Sequence, residues 1–245
     1  MSTKLIAITA AGATDRGHVR ASNEDAYAIS PPLYVVADGM GGHRGGEVAA
    51  RLAATALASR SGALATGDAE ALAEALQVAN RIILNAGAED EALRGMATTC
   101  TADLVRGRVA RIAHVGDSRA YLFRDGRLAQ LTEDHSVVAQ LVREGFLSPQ
   151  EAAHHPRRNV ILRALGHLPD LEVDRVEVVL DAGDRLLLCS DGLTNELDDE
   201  AIAAVLASER DSDAAAHRLV NLANAAGGAD NVTVVVIDVR SMTGG

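Results

Sequence analysis

Four aspartates stand where apolar strands should end. Residues 33–37 run into Asp38-Gly39, residues 111–115 into Gly116-Asp117-Ser118, and residues 186–190 into Asp191-Gly192; Asp230-Asn231 immediately precedes the apolar run 232–237. Runs this apolar read as central strands. An ionised carboxylate beside a core is costly unless it is paired or metal-bound. Few Lys or Arg lie near these four acids in sequence, and a hard divalent cation can serve several carboxylates at once. A second reading stands beside this one. Asp-Gly is a common turn dipeptide, and Asp125-Gly126 reads as nothing more. On the residues alone, turn residue and metal ligand both remain open.

The rest of the chain must form a frame that brings these strand ends together. Strands are expected over 4–10, 25–30 and 33–37, the last two around a Pro31-Pro32 turn, and over 99–105, 109–115, 120–123 and 128–131. Further strands are expected over 171–179, 185–189 and 232–239. Arg106-Gly107 and Asp125-Gly126 are placed for hairpin turns. Helical spacing of apolar residues marks 47–59, 68–88, 135–144, 198–208 and 211–226. Residues 145–166 read as irregular and partly helical, with Ser148-Pro149 at a helix start. Strand groups and helix groups are segregated, without regular β-α-β alternation. That favours an α+β layered domain with antiparallel sheets, occupying 1–245 as one unit.

Composition narrows the function. The chain has 245 residues, 48% of them hydrophobic, with two Phe, three Tyr and no Trp, so its core must be aliphatic. A net charge of −11 without a basic run argues against nucleic acid as partner. No stretch approaches the roughly 18 apolar residues of a membrane span, and a cytoplasmic location is expected. Cys100 and Cys189 make neither a disulfide framework nor a zinc site and read as core residues. His114, inside an apolar strand, reads as a core or supporting residue.

The loop 39–46, Gly-Met-Gly-Gly-His-Arg-Gly-Gly, lies between a strand and a helix. It lacks the Gly-Lys-Ser/Thr of a Walker loop, and Arg44 interrupts a Gly-x-Gly-x-x-Gly fingerprint. Its glycines instead let backbone approach closely, so that the Gly39 carbonyl could serve as an oxygen ligand.

The ordered set Arg20-Ala-Ser-Asn-Glu24-Asp25, Asp38-Gly-Met-Gly-Gly-His43, Gly95-Met-Ala-Thr-Thr99, His114-Val-Gly-Asp117-Ser-Arg119, Cys189-Ser-Asp191-Gly-Leu193 and Asp230-Asn-Val-Thr233 resembles the metal-dependent protein phosphatases, the protein phosphatase 2C family in its compact bacterial form. The resemblance spans about residues 5–239. It implies a four-layer αββα sandwich of two antiparallel sheets flanked by helices, with metals in a cleft at one end. By motif position Asp38 would bridge two metals, and Asp191 and Asp230 would complete the first site. The Gly39 carbonyl would serve the second, with Glu24 beside it directly or through water. Asp117 would join Asp191 in a third, and Asn231 would support the cluster. Arg20 would bind phosphate, its planar fork matching two phosphate oxygens. Two or three Mn2+ or Mg2+ ions are implied.

The implied reaction is hydrolysis of phosphoserine and phosphothreonine in proteins by a hydroxide bridging two metals. Expected partners are phosphorylated proteins, including a partner Ser/Thr kinase and its targets, and the protein is expected to be a monomer. Many eukaryotic relatives carry a His directly after the Asp-Gly, where this chain has Met40. His43 is the candidate substitute as general acid, beside a metal-bound water or a purely structural role. Residues 145–166 match the family's variable flap, where Arg157 and Arg158 are read either as a solvated basic face or as contacts to the substrate. Two other functions remain open: a catalytically silent module that binds phosphoproteins, and a hydrolase of small phosphoesters on the same fold.

Overall fold

The structure, a computed structural model, describes residues 6–41 and 45–241. Its strands are β1 (Ile6–Asp15), β2 (Asp25–Ser30), β3 (Leu33–Met40), β4 (Ala97–Thr98), β5 (Cys100–Arg106), β6 (Val109–Val115), β7 (Arg119–Arg124), β8 (Arg127–Gln130), β9 (Asp174–Val179), β10 (Arg185–Cys189) and β11 (Val232–Ser241). Its helices are α1 (Gly45–Ala58), α2 (Ser61–Leu64), α3 (Ala69–Glu89), α4 (Val137–Arg143), α5 (Pro149–Ala153), α6 (Asp191–Thr194), α7 (Asp199–Ser208) and α8 (Ser212–Ala226). One sheet has the order β1-β11-β10-β7-β8 and the other β2-β3-β5-β6-β9, with β4 paired to β3; every pairing is antiparallel.

Strand alternation assigns the layers. In β3, Leu33, Val35 and Ala37 face α1 and α3 in one core cluster, while Tyr34 and Val36 enter a second cluster between the sheets. In β10, Leu187 and Cys189 face α7 and α8, while Leu186 and Leu188 face the other sheet. Both faces of these central strands are therefore buried, which is why they read as continuous apolar runs. The result is the expected α-β-β-α sandwich. Small residues on α1 (Ala49, Ala50, Ala53) bring it close onto its sheet. Cys100 and Cys189 are fully buried.

Helix starts follow capping chemistry. The side chains of Asp68, Asp198 and Asp211 accept backbone N–H bonds from the first turns of α3, α7 and α8. Ser148 and Glu151 form a reciprocal capping box at α5, with Pro149 at its first turn.

Some boundaries differ from those expected. The loop placed at 39–46 is shorter, because Gly39 and Met40 continue β3 and pair with Thr98 and Ala97, while Gly45 and Gly46 already belong to α1. Strand β1 runs on to Asp15, held along its length by β11. Strand β9 starts at Asp174 rather than 171, where pairing with β6 begins.

Candidate metal centre

Topology gathers the four aspartates. Strands β3 and β6 both pair antiparallel with β5 and so run the same way, and they bring Asp38, within β3, and Asp117, just past β6, to one edge. Strand β10 ends beside the start of β11, which brings Asp191 and Asp230 together. The sheets stack so that these two edges coincide. Glu24, Asp38, Gly39, Asp117, Asp191 and Asp230 line one cavity of about 240 Å³, and Arg20 sits at its rim.

Hydrogen bonds hold the edges in register. Thr99 Oγ1 accepts from the Asp38 amide (3.0 Å), and Thr98 Oγ1 donates to the Asp38 carbonyl (2.9 Å). Thr99 also bonds Ser118 (2.5 Å), tying Asp38 to the loop that carries Asp117. Asn231 Oδ1 accepts from the Glu24 amide (2.8 Å), and its Nδ2 donates to the carbonyls of Arg16 and Ser22. Asn231 thus supports the cluster as expected. A Cβ at Gly192 would run into the Asn231 carbonyl, so the turn after Asp191 closes only with glycine. Gly39 has a similar reason: a Cβ there would meet the backbone oxygens of Gly46 and Glu24. The close approach it permits is between backbone segments.

The electrostatics ask for cations. Asp38 is held well above the usual carboxylate range by burial and by repulsion from Asp25, Asp191, Asp117 and Asp230. Burial, then Asp191, pushes Asp117 up to about 8, and its Oδ1 is buried without a partner. Asp191 is raised by burial and by Asp230. Burial also raises Glu24. Such a group is stable when protonated or when it faces positive charge. Asp230 meets that demand through Arg20, whose Nη2 donates to its Oδ2 at 2.6 Å. Among the described residues, no three acidic, His or Cys side chains are already drawn tightly around one point. The all-oxygen donor set and the partnerless Asp117 oxygen nevertheless fit hard divalent cations.

The family model described as "Protein phosphatase 2C" matches residues 14–227. The chain belongs to the protein phosphatase 2C family. It is 45% identical over 241 residues to the serine/threonine protein phosphatase PstP of Mycobacterium tuberculosis, covering 98% of this chain and 46% of that protein. It is 40% identical to the serine/threonine phosphatase stp of Listeria welshimeri, covering 95% of this chain and 96% of that one. The chain therefore spans about half the length of PstP and nearly all of stp. A crystal structure of the PstP catalytic domain in complex with two manganese ions superposes with a TM-score of 0.89 at 42% identity, covering 96% of this chain and 100% of that one.

Within this protein phosphatase 2C fold, Asp25 was not among the expected site residues. It lies directly across from Asp38 in the β2–β3 pairing. Ser190 donates to its Oδ2 at 2.7 Å, its Oδ1 is buried without a partner, and burial raises its pKa to about 7. An acid opening an apolar strand next to Glu24 was the only signal available. Ser190, Thr99 and Asn195, whose Nδ2 bonds Asp191 Oδ2 at 3.0 Å, were likewise given no role. His114 is buried and bonded to Thr101 and the Glu133 carbonyl. His43 lies outside the described residues.

The flap stands beside the centre. A cleft of about 970 Å³ shares Arg20, Asp117, Asn159, Asp191 and Asp230 with the acidic cavity and continues beneath α4 and α5. Arg158 lines it; Arg157 is exposed on the same turn but outside that lining. Arg163, the flap's third arginine, is tied to Asp174 and Glu172.

Proposed function

We propose that the chain is the catalytic unit of a metal-dependent protein phosphatase acting on phosphoserine and phosphothreonine. The convergence of Asp38, Asp117, Asp191 and Asp230 on one cavity with Arg20 at its rim carries this reading. Asp38, Asp191, Asp230 and Glu24, with the Gly39 carbonyl, would hold two divalent cations, manganese or magnesium; Asp117 would help hold a third. Cations held there supply Lewis acidity to phosphoryl transfer.

The chain's own residues do the rest. Arg20 is half exposed, so its guanidinium can leave Asp230 and take two phosphate oxygens in a forked contact. Thr98 and Thr99 keep Asp38 oriented, and Asn195 does the same for Asp191. Arg158 sits where it can meet an anionic flank of the substrate, with Arg157 on the outer side of the same turn. His43 is assigned as proton donor to the leaving oxygen on sequence grounds alone.

The large cleft beside the centre favours a polypeptide over a small phosphoester. Proteins phosphorylated by a partner Ser/Thr kinase, and that kinase itself, are the substrates we assign in a signalling role. The relatives' sources accord with a bacterial protein, and a cytoplasmic location and a monomeric state are part of the reading we assign. Among the described residues no helix is long and apolar enough to cross a membrane.

Turnover of para-nitrophenyl phosphate and of phosphothreonine peptides with added manganese tests the proposal. A chelator and Asp191→Asn should each abolish both. Peptide binding without turnover would indicate a silent binding module. Turnover of the aryl ester alone would indicate a small-phosphoester hydrolase.

A further inference from the structure

Helix α4 and the flap helix α5 turn an apolar face to the cleft that is only partly buried. Helix α4 reads Val-Val-Ala-Gln-Leu-Val-Arg, yet none of its residues is buried, and neither is any residue of α5. No residue from 132 to 164 belongs to any of the three core clusters. Val138, Ala139 and Val142 of α4, with Pro149, Ala152 and Ala153 at α5, face the 970 Å³ cleft. Helices packed onto a domain ordinarily bury their aliphatic face. Here that face borders a cleft continuous with the acidic cavity.

Part of the charge lining the cleft is paired, Arg143 lying 3.7 Å from Glu133. Arg119 and Asp134, on the floor, neutralise each other in a forked pair, Nε–Oδ1 2.9 Å and Nη2–Oδ2 2.7 Å. The cleft far exceeds what a phosphate needs. A phosphoryl group at Arg20 and the aspartates forces the residues flanking it into this space. Three extended residues reach about 10 Å.

We propose that the α4–α5 wall is a specificity subsite for a large aliphatic side chain of the phosphoprotein, carried within three residues of the phosphorylated one, with Val142 and Ala152 as the residues that read it. The proposal rests on the phosphatase reading above and adds to it the class of substrate. Discrimination comes from burying that side chain against the wall, since filling an apolar pocket favours the transition state of the substrate that fills it.

The test uses the whole protein with manganese and a peptide set. Each peptide carries one phosphothreonine in a Gly-Ser background and a single Leu at one position, from three residues before to three after. The reading is the ratio of kcat/KM for each Leu peptide to the Leu-free peptide, which cancels any loss common to both. One position should show a ratio of about ten or more. Val142→Asp and, separately, Ala152→Asp should bring it close to one. Both positions lie on helices without buried residues, so the core is not disturbed. A wild-type ratio near one at every position overturns the subsite and leaves the phosphatase reading standing. A ratio that survives both substitutions overturns the assignment to this wall. A wild-type protein that turns over none of the peptides overturns the phosphatase reading and the subsite with it. Ratios near one together with a dimer in sedimentation that Val142→Asp dissociates would assign the wall to a second copy of the chain.

Discussion

Arg20 and Asp230 form an ion pair, Nη2 to Oδ2 at 2.6 Å, although sequence reasoning assigned one to phosphate and the other to metal. Their side chains are 53% and 27% exposed, and pairs so accessible are worth under about 1 kcal/mol. The contact can therefore be exchanged for a stronger one at little cost. Arg20→Lys keeps the charge and loses the fork, and should lower kcat/KM on a phosphothreonine peptide about ten- to a hundredfold, the scale of a hydrogen bond to a charged group. Unchanged kinetics in the lysine variant would remove Arg20 from the phosphate site.

Asp25 lies opposite Asp38 and is fastened by Ser190, which also accepts from the Thr233 amide at 2.9 Å. Groups that orient metal ligands typically account for 10- to 100-fold in affinity. Asp25→Asn should weaken manganese binding by about that factor in titration calorimetry, and Ser190→Ala should weaken it less. Wild-type affinity in Asp25→Asn would show that this buried acid serves only the fold.

Asp103 bears on stability rather than chemistry. It is fully buried on β5, and neither oxygen has a side-chain partner. Burial raises its pKa to about 8, which the backbone of Arg111 only partly offsets. Below about pH 4 both folded and unfolded chains are protonated there. Between about pH 4 and 8 the unfolded chain releases the proton and the folded chain keeps it, so stability falls as pH rises through that window. Asp103→Asn should shrink the loss of unfolding free energy between pH 5 and pH 9 by on the order of 3 kcal/mol, read from urea melts at fixed metal concentration. Parallel wild-type and variant profiles would contradict the assignment.

Arg185 and Asp238 join β10 to β11 through a buried pair at 2.7 Å, and Arg185 also donates to the carbonyls of Leu206 and Glu209. Both residues are under 9% exposed. Removing one partner of a buried pair typically costs about 3–5 kcal/mol, because the other charge stays desolvated. Asp238→Ala should lower Tm by roughly 10 °C for a chain of this size. A loss of a degree or two would mean that the carbonyl contacts suffice for Arg185.

Much of this protein was readable before folding. Apolar runs such as 186–189 located the central strands, because residues buried on both faces leave no polar alternation. Asp68, Asp198 and Asp211 marked helix starts, because unpaired first-turn amides need an acceptor close by. The motif order disclosed the family. What stayed hidden depends on contacts between residues far apart in the chain. The sequence could not show that Asp25 meets Asp38 and Ser190, that Arg20 turns to Asp230 210 residues away, or that the aliphatic face of α4 borders the cleft. Local sequence fixes periodicity and caps. Strand pairing and sheet stacking decide which charges share a cavity and which apolar faces are left for a partner.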